Sequence, residues 1–135
     1  MDLLTHLSSL PGSEEARDFI GAEHGADLTL ILVNAPPGHG PNLHRHPYEE
    51  IFVVQDGSGT FFVDGAQVQA GAGDVVLAPA GTAHRFVNSG SARLRLTAIH
   101  HAPKFVTEWL EPLSAEQRYW SSETGPGDAS QVKSR

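Results

Sequence analysis

Cysteine is absent from this 135-residue chain. Its absence excludes a disulfide scaffold, a thiolate zinc site, a catalytic thiol and any Cys–Tyr crosslinked cofactor. Positive charge is scarce as well. Nine Lys and Arg stand against sixteen Asp and Glu, giving a formal net charge of −7 and a pI near 5.5. Phosphate backbones attract the opposite sign, so nucleic acid is not expected as a partner. No apolar run approaches the roughly 18 residues of a membrane span, and the N-terminus lacks the basic and apolar regions of a secretory signal. The expectation is a soluble cytoplasmic protein with no membrane partner. What the chain does have is 14 Gly, 9 Pro and 8 His. Gly and Pro together make about a sixth of it, against an average near 12%. The length is that of one domain, able to bury roughly two-thirds of its unfolded surface without staples.

The Gly and Pro residues punctuate short apolar runs. Asp27 to Asn34 reads as a strand closed by Ala35-Pro36-Pro37-Gly38, and Glu50 to Val54 as a second ended by Asp56-Gly57. Thr60–Val63 and Ala66–Gln69 flank Asp64-Gly65, a strong hairpin signal because both turn residues tolerate φ > 0. Further strands are expected at Asp74–Leu77, His84–Val87 and Arg93–Ile99, the last alternating cleanly. Many short strands separated by turn chemistry predict an all-β sandwich or barrel. Helix is confined to the ends. Met1–Leu10 reads as a loose helix ended by Pro11-Gly12. Phe105, Val106 and Trp109 share a stripe that predicts a short C-terminal helix covering a sheet edge, and Ser114 caps a further turn. Strands such as Leu30–Val33 and Phe61-Phe62 are apolar on both faces, so the second face needs a cover. Either terminal segments provide it or two copies pack across a two-fold axis, and the homodimer is the favoured expectation.

His44 and His46 sit two apart, a spacing that points both rings to one side of a strand. A neighbouring antiparallel strand can bring Glu50 beside them, and His84 can close the group from the other side. Three neutral imidazoles and one carboxylate suit Fe, Mn, Co, Ni, Cu or Zn rather than Ca or Mg. On a six-coordinate ion they leave open positions for water, dioxygen or a chelating substrate.

Two longer strings surround these residues. One is Gly38-x5-His44-x-His46-x3-Glu50-x6-Gly57, and the other is Gly73-x5-Pro79-x-Gly81-x2-His84-x3-Asn88. Together they resemble the paired signature motifs of the cupin superfamily, with every signature position filled. The short spacing between them resembles the compact single-domain bacterial kind. The resemblance implies a cupin-type double-stranded β-helix, a jelly-roll barrel, with one divalent transition metal on His44, His46, Glu50 and His84. The expected division is an N-terminal arm over residues 1–16, the barrel over 17–103, a helical segment over 104–120 and a flexible tail over 121–135.

Strand parity nominates further residues. If Glu50 points inward, so do Phe52 and Val54, and Phe86 follows His84. These three either line an apolar substrate pocket beneath the metal or simply fill the core. Tyr48 lies in the turn between ligands, where its phenol can reach a metal-bound group or remain on the surface. His100 shares the parity of Leu94, Leu96 and Ala98, which gives it access to the barrel mouth as an acid–base or supporting residue. Arg45 and Arg85 should point away from the ligands beside them, and His6, His24 and His39 have no companions. Asn88 reads as a turn former through bonds to local backbone. Small stand-alone cupins include dioxygenases, isomerases, lyases and non-catalytic binding modules, so the fold does not choose the reaction. The resemblance makes a small-molecule metalloenzyme the leading expectation, with oxygenase chemistry first. A metal-dependent isomerase or lyase, or a ligand-binding cupin without catalysis, is the alternative.

Overall fold

The computed structural model describes residues 3–111, which form two five-stranded antiparallel sheets facing each other. The strands are β1 (Ala16–Phe19), β2 (Thr29–Ala35), β3 (His44–Arg45), β4 (Glu50–Asp56), β5 (Ser58–Val63), β6 (Ala66–Gly71), β7 (Val75–Ala78), β8 (His84–Val87), β9 (Leu94–His100) and β10 (Glu108–Trp109). One sheet runs β1-β2-β9-β4-β7 and the other β10-β3-β8-β5-β6. This is the jelly-roll architecture expected of the sequence.

Alternation explains which residues meet between the sheets. Strand β2 buries Thr29, Ile31, Val33 and Ala35, β4 buries Glu50, Phe52 and Val54, and β9 buries Leu94, Leu96, Ala98 and His100. A period of two in each strand therefore sends one set of side chains into a shared interior. The rings of Phe52, Phe61 and Phe86 touch one another there, with centroids 5.3–5.7 Å apart. The β5–β6 hairpin turns at Asp64-Gly65, whose φ values of 50° and 82° are those of a tight left-handed turn. Gly57 turns β4 into β5 with φ of 79°, and a Cβ there would meet the Arg93 carbonyl oxygen at 2.4 Å.

Both ends of the chain differ from their helical readings. Residues 3–10 contain only a single 3₁₀ turn at Leu7–Ser9, followed by β1 at Ala16. Phe105 to Leu110 is not helical, and Glu108–Trp109 within it forms a short strand. Glu108 and Trp109 pair with Arg45 and His44 of β3, and the Leu110 N–H donates to the Leu43 carbonyl. The reason is local and tertiary at once. Phe105, Val106, Thr107 and Trp109 are aromatic or β-branched and suit a pleated surface, while β3 offers an unpaired edge. Ser114, the rest of the segment to residue 120 and the tail over 121–135 lie outside the described residues.

The outer face of the first sheet is apolar in part. Register aligns Phe19, Leu30, Ile99, Ile51 and Leu77 in one row across all five strands. The N-terminal segment borders one end of this row, with Leu3 and Leu4 still exposed. Leu3, Leu4, Leu7 and Leu10 line a groove of about 550 Å³ with Phe19, Leu30 and Leu32. At the other end Val75 and Leu77 are exposed.

Candidate metal centre

Backbone register alone brings the signature residues together. Strand β3 pairs with β8 so that His44 faces His84, and β4 pairs with β9 so that Glu50 faces His100. His46 follows His44 by two residues and turns its ring to the same side. One ligand atom from each of His44, His46, Glu50 and His84 lies within 4.8 Å of all the others. None of the four is more than 3% exposed. The group sits at one end of the interior, with the Phe52 ring 5.9 Å from His84 beneath it.

The orientation of the imidazoles is fixed from behind. His44 Nδ1 is 2.7 Å from the Asn42 carbonyl, His84 Nδ1 is 2.9 Å from the Thr82 carbonyl, and His46 Nδ1 is 2.9 Å from the Val106 carbonyl. A carbonyl oxygen only accepts, so each Nδ1 carries the proton and donates it. Each Nε2 is then left as a bare lone pair. All three lone pairs face inward toward the same carboxylate. Glu50 Oε1 lies 2.9 Å from His84 Nε2 and 3.1 Å from His46 Nε2. Lone pairs against an anionic oxygen repel unless a cation lies among them, and His46 Nε2 is buried without a hydrogen-bond partner. The donor set therefore fits a divalent ion with mixed nitrogen and oxygen preference.

Protonation states agree with that fit. Burial, together with the neighbouring His84 and His46, holds the His44 pKa well below its usual value. Burial lowers His46 too, against the opposing pull of Glu50. Burial alone would raise the Glu50 carboxyl. The neighbouring His100, whose Nε2 approaches Oε2, opposes it most and the group is held well below the usual carboxylate range. Neutral imidazoles and an ionised carboxylate are the forms that bind metal.

The remaining nominated residues separate into two sets. Tyr48 stacks on His46 with centroids 4.8 Å apart, and its hydroxyl is 2.7 Å from His100 Nδ1. His100 stands behind Glu50, with Nε2 3.0 Å from Oε2. Phe52, Val54 and Phe86 are inward-facing members of the apolar core. Arg45 turns outward, where its Nε donates to Glu108 at 2.7 Å. His6 accepts from the Ser8 N–H, His24 stacks on Phe19, and His39 pairs with Glu15 at 2.8 Å. Asn88 braces backbone, donating to the carbonyls of Ala35 and Ala92 and accepting from the Gly90 N–H.

The C-terminal segment supplies residues that the sequence did not nominate for the site. The Trp109 ring packs 4.8 Å from His44 and Phe105 packs 5.0 Å from His100. The Val106 carbonyl and the Thr107 hydroxyl both reach His46 Nδ1. The extended propensity of these residues was the available signal, outweighed by their helical spacing. Beside them a cavity of about 330 Å³ is lined by Arg45, His46, Pro47, Gly81, Val106, Thr107 and Glu108.

An antiparallel jelly roll holding three imidazoles and a carboxylate at one end of its interior defines a class of small metal-site barrels. The chain belongs to the cupin family, whose domain model matches residues 31–100. It is 33% identical over 79 residues to an oxalate-binding protein of Thermotoga maritima, covering 58% of this chain and 65% of that protein. The match thus stops just short of two-thirds of that relative's length. By structure it resembles a Klebsiella pneumoniae protein with a double-stranded β-helix domain, at a TM-score of 0.65 and 19% identity, covering 83% of this chain and all of that one. It also resembles Bacillus subtilis oxalate decarboxylase in a structure concerned with its Mn(II) centres, at a TM-score of 0.64 and 24% identity. That match covers 77% of this chain and 31% of the decarboxylase. Among the described residues no helix is long and apolar enough to cross a membrane.

Proposed function

We propose that this cupin is an enzyme that holds one divalent transition metal on His44, His46, Glu50 and His84 and acts on a small organic anion that chelates it. The observation carrying this reading is the set of three Nδ1-to-carbonyl hydrogen bonds, which aim three Nε2 lone pairs at one place beside an ionised Glu50. When bound, the metal supplies Lewis acidity and, if redox-active, a path for electrons. The four donors carry a single negative charge between them, so a divalent ion there keeps a positive charge that favours an anionic chelator. The apolar floor formed by Phe52 limits water, which strengthens that attraction.

Two reaction classes fit the site. Oxygenase chemistry is the class the sequence resemblance places first. Bond cleavage in an oxalate-like acid, a lyase reaction, is suggested by the names of the relatives. Protein purified without a chelating tag should contain about one equivalent of metal by mass spectrometry, and His84→Ala should contain far less. Anaerobic reconstitution with Fe(II), followed by candidate diols, catechols or thiols under oxygen, tests the first class by oxygen uptake. Loading with Mn(II), followed by oxalate or another small dicarboxylate, tests the second by release of CO₂. Wild-type protein that takes up no divalent metal overturns the reading, and metal and ligand binding without turnover leaves a binding cupin. A homodimer through the outer face bearing Val75 and Leu77 accounts for the exposure of those residues. Light scattering of wild type and Leu77→Lys tests it, and a monomeric wild type refutes it.

A further inference from the structure

The two oxygens of Glu50 face different partners. Oε1 is the atom approached by His46 and His84, whereas Oε2 is approached by His100. His100 has no solvent exposure and its ligand nitrogens lie outside the group of four donors. Its Nδ1 is engaged by the Tyr48 hydroxyl at 2.7 Å. Its Nε2 has no other partner, and the 3.0 Å approach to Oε2 lies off the line of an ideal hydrogen bond.

The direction of this chain can be read from its outer end. The Val106 N–H points to the Tyr48 hydroxyl oxygen at 3.4 Å, and a backbone N–H only donates. Tyr48 accepts there and has its own proton to give to His100 Nδ1. A neutral imidazole that accepts at Nδ1 is protonated at Nε2. The opposite tautomer would set a lone pair against the ionised Oε2. Val106, Tyr48 and His100 thus form a directed chain that sets the His100 Nε2–H beside one oxygen of Glu50.

We propose that Tyr48 and His100 are positioning residues that reserve Oε2 of Glu50. The carboxylate then meets the metal through Oε1 alone, and a coordination position that two-oxygen binding would fill stays open for a chelating ligand. This rests on the metal reading above. It explains why a fully buried imidazole and a phenol stand behind a ligand that two other histidines already contact.

Mn(II) alone is a sufficient probe, because the water-proton relaxation it produces counts exchangeable waters on the ion. Wild type is expected to bind one Mn(II) with about two such waters. His100→Leu should still bind Mn(II) but lose about half of the inner-sphere relaxation, since a released Oε2 swings onto the metal. His100→Gln, whose amide N–H reaches the same oxygen, should restore the wild-type value. Tyr48→Phe, which frees the His100 tautomer, should fall between. An unchanged water count in folded His100→Leu, or in folded Tyr48→Phe if the leucine variant does not fold, overturns the proposal and leaves the pair merely structural. A gain of one water in His100→Leu also overturns it, by making His100 a ligand itself. Wild-type protein that binds no Mn(II) or other divalent ion is a different result and removes the metal reading instead.

Discussion

Trp109 offers the sharpest test of how the site is closed. Its side chain is 1% exposed, it packs on His44, and its strand completes the edge of the second sheet. Replacing a buried Trp by Ala costs about 3–5 kcal/mol through lost transfer energy and the cavity left behind. One term works in the other direction. The Trp109 Nε1 is buried without a hydrogen-bond partner, and relieving such a group returns roughly 1–2 kcal/mol. The net for Trp109→Ala is therefore about 1–4 kcal/mol, a large share of the 5–15 kcal/mol that holds a domain of this kind. At about 3–6 °C per kcal/mol for a chain of this size, Tm should fall by roughly 3–24 °C. Trp109→Phe keeps the ring on His44 and deletes the orphan N–H, so its stability should lie within about 1 kcal/mol of wild type. Differential scanning calorimetry on metal-free protein measures both. Metal loss to an excess of chelator, followed by stopped flow, should be at least about tenfold faster in Trp109→Ala because the ring shields His44 from water. Glu108→Gln, which weakens the partly exposed pair with Arg45, is the control and should shift stability by less than about 1 kcal/mol. A Tm for Trp109→Ala within about 3 °C of wild type would refute the argument that this segment is part of the folded core.

Further outcomes follow from the same geometry. Metal-free protein should lose stability steadily as pH falls from about 7 to 5. His44 and His46 have folded pKa values below their unfolded values, so the unfolded chain binds the extra protons and each group contributes up to about 1.4 kcal/mol per pH unit. Glu50, also depressed on folding, adds stability above its unfolded pKa that is lost as pH drops further, so all three act in one direction. Urea melts at successive pH values check this, and a flat profile between pH 7 and 5 contradicts it. Divalent metal at about 100 times its Kd should raise stability by about 2.7 kcal/mol in wild type, and His84→Ala should lose most of that gain in the same melts. Asn88→Ala removes two donors to the Ala35 and Ala92 carbonyls and the acceptor for the Gly90 N–H. It should cost about 2–4 kcal/mol by calorimetry without changing metal stoichiometry, because Asn88 braces turns and is not a donor to the site.

The residues whose placement could be read in advance are those fixed by local rules. A His-x-His pair on a strand must share a face, and Glu50, Phe52 and Val54 must share another, whatever the rest of the chain does. Asp64-Gly65 demands a hairpin because its backbone angles suit nothing else nearby. The convergence of four such residues came from the family pattern and not from periodicity, since the sheet order that carries β4 beside β9 and β3 beside β8 is non-local. The segment from Phe105 to Trp109 shows the opposite situation. Its apolar spacing fits a helix and its residue types fit a strand, so local information conflicts. The decision falls to the unpaired edge of β3, an element of two residues that no periodicity analysis isolates. The relay from Val106 through Tyr48 to His100 was hidden for the same reason. Tyr48 and His100 are 52 residues apart, and only the β4–β9 register and the C-terminal segment bring phenol, imidazole and backbone N–H into line. Ligands thus follow from strand parity and family spacing. The groups that orient them follow from edge pairing, where a correct prediction requires the partner strand to be known first.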